Sequence, residues 1–103
     1  MEKRAFERQL SNINVRFLSD KTEYLGTVKN ISKKGMFIST QVNFPLELQL
    51  EILIPLKEEL LKLPAKIIKI KKSGDNYSGI SVELLSPSQT YLEFVDSLKP
   101  VIR

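Results

Sequence analysis

The apolar residues of this chain come in short bursts that alternate with polar residues, and this period of two limits the folds open to it. The clearest burst is residues 46–54 (LELQLEILI), in which Glu47, Gln49 and Glu51 separate large aliphatic side chains. Alternation of this kind is typical of a strand with one buried face. Pro55 follows directly, and a residue without an N–H to donate is expected to end the ladder of hydrogen bonds.

The same alternation recurs along the chain. Residues 13–17 (INVRF) and 77–84 (YSGISVEL) repeat it, and the turn-forming sequence SGDN at 73–76 predicts a hairpin before the last strand. The sequence SKKG at 32–35 is expected to join two weaker strands. Together the patterns predict six strands, over residues 13–17, 24–31, 36–39, 46–54, 66–72 and 76–84.

Two stretches break the alternation. In residues 65–72 the apolar set changes phase between Ile67 and Ile68, which predicts a bulge of the kind that helps a sheet to close. Residues 56–63 (LKEELLKL) have some helical periodicity, but they are short and bracketed by prolines. We therefore expect a loop or a single turn there.

The last element has a helical period. Ser86 is the predicted N-cap, with Pro87 at the first helical position and Gln89 three residues after the cap. The apolar stripe of this helix has the spacing i, i+3, i+4 and i+7 and consists of Tyr91, Phe94, Val95 and Leu98. The predicted fold is mainly β: a six-stranded antiparallel β-barrel followed by a C-terminal α-helix over about residues 86–99.

The composition excludes several functions. Among 103 residues there is no cysteine and no histidine, which excludes thiol nucleophiles, disulfides, zinc–thiolate sites and the commonest general base. The acidic residues are scattered over predicted solvent faces, and Asp75 and Asn76 fit a hairpin turn better than a calcium loop. We expect neither an enzyme nor a metal or cofactor site. With neither a signal peptide nor a membrane span in the sequence, we expect a cytoplasmic protein.

Sixteen Lys and Arg against twelve Asp and Glu give a net charge of +4, which favours an anionic partner without identifying it. Two motifs are more specific. Arg4 and Arg8 form R-x-x-x-R, and Asn30, Ser32 and Gly35 form N-x-S-x-x-G about twenty residues later. This pair of motifs resembles that of the PilZ domain, a bacterial receptor for the second messenger cyclic di-GMP. The strand pattern and the terminal helix are also similar to the barrel and C-terminal helix of that family.

The resemblance implies a cyclic di-GMP site. It implies that Arg4 and Arg8 bind guanine edges and phosphates, that Asn30 and Ser32 contact the other purine, and that Gly35 lets the backbone approach the ligand, through φ > 0 if needed. The side-chain chemistry agrees, because the planar guanidinium fork matches both guanine N7/O6 and phosphate oxygens.

Two lysines close to the motifs are possible secondary ligands. Lys3 precedes the first arginine, at a position that the family associates with ligand stoichiometry, and Lys34 lies inside the turn.

The motifs also suggest how the chain is organised. Residues 1–9 are expected to be a flexible arm that becomes ordered on ligand binding, and residues 10–103 to be the barrel with its helix. Because Met1 lies three positions before Arg4, we expect a stand-alone adaptor without an upstream domain. The resemblance implies a separate protein partner that controls motility, pili or exopolysaccharide.

Two alternatives remain open. The first is a basic barrel that binds nucleic acid through a lysine face, although the chain has no Trp and most Phe residues are at core-like positions. The residues of that face would be Lys33, Lys34, Lys66, Lys69, Lys71 and Lys72. The second is a PilZ-like protein that binds other proteins and no nucleotide.

Overall fold

The computed structural model describes residues 9–98 and contains a closed antiparallel β-barrel with one helix. The strands follow one another around the barrel in the order β1-β2-β3-β6-β5-β4. The elements are β1 (Gln9–Ser19), β2 (Thr22–Ile31), β3 (Gly35–Ser39), β4 (Gln49–Pro55), β5 (Leu60–Ser73), β6 (Asn76–Leu84) and α1 (Gln89–Ser97). The predicted six-stranded barrel with a C-terminal helix is confirmed.

The barrel interior is filled by the apolar residues of the alternating pattern. In β1 the side chains of Val15 and Phe17 are buried, whereas Asn14 and Arg16 between them are exposed. The same rule holds around the barrel, so each strand contributes one face to a single core. The largest fully buried aliphatic side chains are those of Val28, Ile31, Ile38, Ile52, Ile54, Leu63, Ile67 and Ile80.

The strand predicted over residues 46–54 begins later than expected. Leu46 is 55% exposed, and β4 starts only at Gln49. Leu46 and Glu47 form a turn, in which Glu47 has φ of 70° and donates its N–H to the Ile67 carbonyl. The alternation therefore continued past the point at which the backbone leaves the extended conformation.

The loop predicted over residues 56–63 is correct only for its first half. Strand β5 begins at Leu60, and Leu61 and Leu63 point into the core in phase with Ala65. Pro64 lies within this strand opposite Glu51, just before the ladder with β6 begins at Ala65. A proline is accommodated at this position, so its presence was a poor guide to the start of the strand.

The predicted bulge is present in β5. The register with β6 shifts between Ile67 and Lys69, and Ile68 consequently lies 49% exposed on the outside of the barrel. The bulge moves Ile70 back toward the core, where it packs against the buried cluster.

Helix α1 begins at Gln89, and its N-cap is Ser88, whose side chain accepts a hydrogen bond from the Tyr91 N–H at 3.2 Å. The predicted cap at Ser86 is wrong by two residues, because Ser88 presents the same capping hydroxyl two residues nearer the buried stripe. Tyr91 and Val95 are buried against the barrel. The helix that the structure describes is neither long nor apolar enough to cross a membrane.

Candidate functional site

The turn at residues 32–35 connects β2 to β3 and is closed by Ser32. The Ser32 N–H donates to the Gly35 carbonyl at 2.9 Å, and its hydroxyl donates to the same carbonyl at 3.4 Å. The hydroxyl also accepts from the Lys34 N–H at 3.3 Å. Ser32 is only 7% exposed, so its side chain fixes the conformation of the turn.

Asn30 lies on the outer face of the barrel beside this turn. It pairs with Phe37 of β3, whereas the neighbouring pair, Ile31 and Met36, is buried in the core. The register of β2 against β3 shifts between Val28 and Asn30. This irregularity lets Val28 point inward and still places the half-buried Asn30 side chain on the outside.

Gly35 has a packing role that the sequence did not suggest. It is the first residue of β3, opposite Glu83, and a Cβ atom at this position would lie 2.1 Å from the Val82 carbonyl oxygen. Among the described glycines only Gly74 has a positive φ, so Gly35 does not use the left-handed conformation that a glycine permits. The glycine instead allows β3 to approach β6 closely.

Helix α1 holds the turn from inside the molecule. The Tyr91 hydroxyl donates a hydrogen bond of 2.6 Å to the Ser32 carbonyl, and the Tyr91 side chain is fully buried. Burial raises the pKa of the Tyr91 hydroxyl well above its ordinary value, so it is a stable donor at neutral pH. The Leu84 N–H donates to the Lys34 carbonyl at 2.8 Å, which ties the turn to the end of β6 as well.

The sequence showed Tyr91 only as one member of an apolar stripe. Its hydroxyl partner lies 59 positions away in the chain, and no sequence signal connects the two residues. A buried tyrosine usually needs a hydrogen-bond partner, which was the one available clue.

Two lysines add positive charge to the turn. Lys33 lies 3.9 Å from an Asp96 carboxylate oxygen on α1, with both side chains about half exposed. Lys34, proposed as a secondary ligand residue, is exposed at the tip of the turn. Within residues 9–98, no cluster of acidic residues is arranged to hold a metal ion.

Lys3, Arg4 and Arg8 lie outside the described residues, but the start of β1 shows where their segment joins the barrel. In the β1–β2 ladder Gln9 pairs with Ile31, and Leu10 pairs with Asn30. Gln9, the first residue that the structure describes, therefore lies on the barrel next to the turn that follows β2.

The described residues thus form a closed six-stranded barrel whose polar turn is anchored by the C-terminal helix. The family model described as "PilZ domain" matches residues 2–98. The chain belongs to the PilZ domain family. Comparison of the sequence with curated proteins gave no significant match.

Solved structures share the fold at low sequence identity. The PilZ domain of YcgR from Escherichia coli, solved with c-di-GMP, is 15% identical with a TM-score of 0.72, and the alignment covers 94% of this chain and 92% of that domain. The inhibitor of motility MotI/DgrA from Bacillus subtilis is 18% identical with a TM-score of 0.74 over 94% of this chain. The K. pneumonia MrkH–c-di-GMP complex is 15% identical with a TM-score of 0.72, also over 94%. The chain spans 51% of the MotI/DgrA chain and 51% of the MrkH chain.

Proposed function

We propose that this protein is a receptor for cyclic di-GMP that acts through binding and not through catalysis. The observation that carries the proposal is the register of β1 against β2, in which Gln9 and Leu10, the residues that follow Arg8 in the sequence, pair with Ile31 and Asn30 next to the turn. The YcgR and MrkH relatives, both solved with c-di-GMP, support the same ligand.

Each proposed contact matches a chemical feature of the ligand. Arg4 and Arg8 present planar forks that bind guanine N7/O6 or phosphate oxygens in bidentate fashion. The Asn30 amide both donates and accepts hydrogen bonds, as a purine edge requires. Ser32 and Gly35 give the turn its shape, and Lys34 adds positive charge toward two phosphodiesters.

The output is proposed to be a change in the arm. Residues 1–9 close over the ligand when Arg4 and Arg8 bind it, and the resulting surface is read by a separate protein partner in the cytoplasm. Motility, pili and exopolysaccharide are the candidate pathways, and MotI/DgrA, described as an inhibitor of motility, supports the first of them.

Isothermal titration calorimetry with cyclic di-GMP tests the proposal, with GMP and cyclic di-AMP as competitors at the same salt concentration. We expect Arg8→Ala to abolish the binding heat without changing the melting temperature. Arg16→Ala is the matched control, because Arg16 is an exposed arginine of β1 whose guanidinium is 3.1 Å from the Glu23 carboxylate. Amide exchange in residues 2–9 should slow when cyclic di-GMP is added.

The proposal fails if the wild-type protein gives no heat with cyclic di-GMP at sub-millimolar concentration, or if Arg8→Ala binds as tightly as Arg16→Ala. Tighter binding of a single-stranded oligonucleotide, falling steeply with salt, would favour the nucleic-acid alternative.

A further inference from the structure

The outer face of the barrel continues from Asn30 across three more strands. Asn30 is opposite Phe37, Phe37 is opposite Ser81, and Ser81 is opposite Lys69. Residues directly opposite each other share a face of the sheet, so these four side chains form one row on the outside. At about 4.8 Å between strands, the row extends roughly 14 Å from Asn30 to Lys69, a length that a cyclic dinucleotide can cover.

The Phe37 ring lies across the neighbouring strand. A Cβ atom at Gly79 of β6 would be 2.2 Å from the Phe37 Cζ atom, so the absence of a side chain at Gly79 is what makes room for the ring. Lys71 is opposite Gly79 on β5, and its Nζ atom is 5.7 Å from the ring centroid. We call Phe37, Gly79 and Lys71 the Phe37 platform.

The platform combines the two features that nucleotides need beside a hydrogen-bonding site. The Phe37 side chain is half-buried on the outer face, and an aromatic ring can stack on a base of any identity. The Lys71 ammonium close to that ring attracts phosphate. Lys69, exposed at the end of the row that contains Phe37, adds a second cation. If the Phe37 side chain served only to cover Gly79, an aliphatic side chain without neighbouring lysines would be sufficient.

We propose that Phe37 stacks on one guanine of the nucleotide bound at Asn30 and Ser32, and that Lys71 and Lys69 contact its phosphates. This inference rests on the proposed function and extends its site from the turn onto the sheet. It makes Phe37 a binding residue in addition to the two sequence motifs.

Calorimetry with cyclic di-GMP on three variants tests the platform. Phe37→Leu keeps an apolar side chain but removes the ring, and we expect roughly tenfold or greater loss of affinity. Phe37→Tyr retains the ring and should bind like the wild type. Lys71→Gln should weaken binding several-fold, and more strongly at low salt than at high salt. Lys62→Gln is the control, because Lys62 is an exposed lysine of the same strand opposite Leu53.

A direct readout of stacking is the proton NMR signal of guanine H8, which should move upfield on binding to the wild type and to Phe37→Tyr. The guanine H8 shift and the affinity of Lys71→Gln test the proposed contacts even if Phe37→Leu does not fold. The inference is overturned if the wild type binds without the upfield shift, or if Lys71→Gln behaves like Lys62→Gln. Absence of binding by the wild type would instead refute the proposed function.

Discussion

Replacing Tyr91 with phenylalanine removes one oxygen atom, and with it the hydrogen bond that joins α1 to the turn at residues 32–35. The bond is 2.6 Å long and buried, and without it the Ser32 carbonyl loses a partner in a place that water reaches poorly. A buried group left unsatisfied costs about 1–3 kcal/mol. For a domain of this size each kcal/mol lowers the melting temperature by about 4–8 °C.

Urea unfolding monitored by circular dichroism measures this loss. Tyr91→Phe should lower the midpoint without changing the slope, because the surface exposed on unfolding is the same. Tyr77→Phe is the matched control, since Tyr77 is only half-buried on β6, and it should change the free energy of unfolding by less than about 0.5 kcal/mol. If both variants show the same small decrease in the free energy of unfolding, the buried hydrogen bond does not stabilise the turn.

Alkaline pH gives a second test of the same bond. In the unfolded chain the tyrosine pKa is near 10, and burial raises the pKa of Tyr91 in the folded protein. The folded state therefore keeps a proton that the unfolded state releases, and stability falls as pH rises above 10, by up to about 1.4 kcal/mol per pH unit. Tyr91→Phe should lack this component, so identical alkaline unfolding curves for the two proteins would contradict the assignment.

Two further substitutions test the packing around the turn. Gly35→Ala should destabilise the protein by about 1–3 kcal/mol, because its Cβ would overlap the Val82 carbonyl. Gly74→Asn should be nearly neutral, since nothing lies within 4 Å of that position and asparagine tolerates its φ of 66°. Thermal unfolding compares the two variants, and equal losses of stability would show that β3 can move away from β6. Asp96→Asn should cost less than about 1 kcal/mol, because its ion pair with Lys33 is half exposed, and a larger loss in urea would mean that this pair holds the helix.

Local patterns predicted the strands and the polar turn, because both arise from residues that are close in the sequence. Asn30, Ser32 and Gly35 belong to one hairpin, so their proximity follows from the sequence SKKG between two strands. The start of β4 was predicted too early at Leu46, because alternation continues into a turn that only the positive φ of Glu47 reveals.

Contacts between distant parts of the chain were beyond prediction. The reason for Gly35 is the Val82 carbonyl of a strand far along the chain, and nothing near Gly35 in sequence points to it. Phe37 lies between Met36 and Ile38, both buried, and this position puts its side chain on the outside. Alternation within β3 was the signal that could have found it.

The bond between Tyr91 and Ser32 also sets an order of events during synthesis. A ribosome synthesises β2 and the turn before it reaches α1. The Ser32 carbonyl therefore has no Tyr91 hydroxyl to accept from until 59 more residues have been added. A nascent chain that ends before residue 91 can pair its strands but lacks the hydrogen bond that stabilises the turn. The turn at residues 32–35 is therefore completed among the last steps in the folding of a newly made chain.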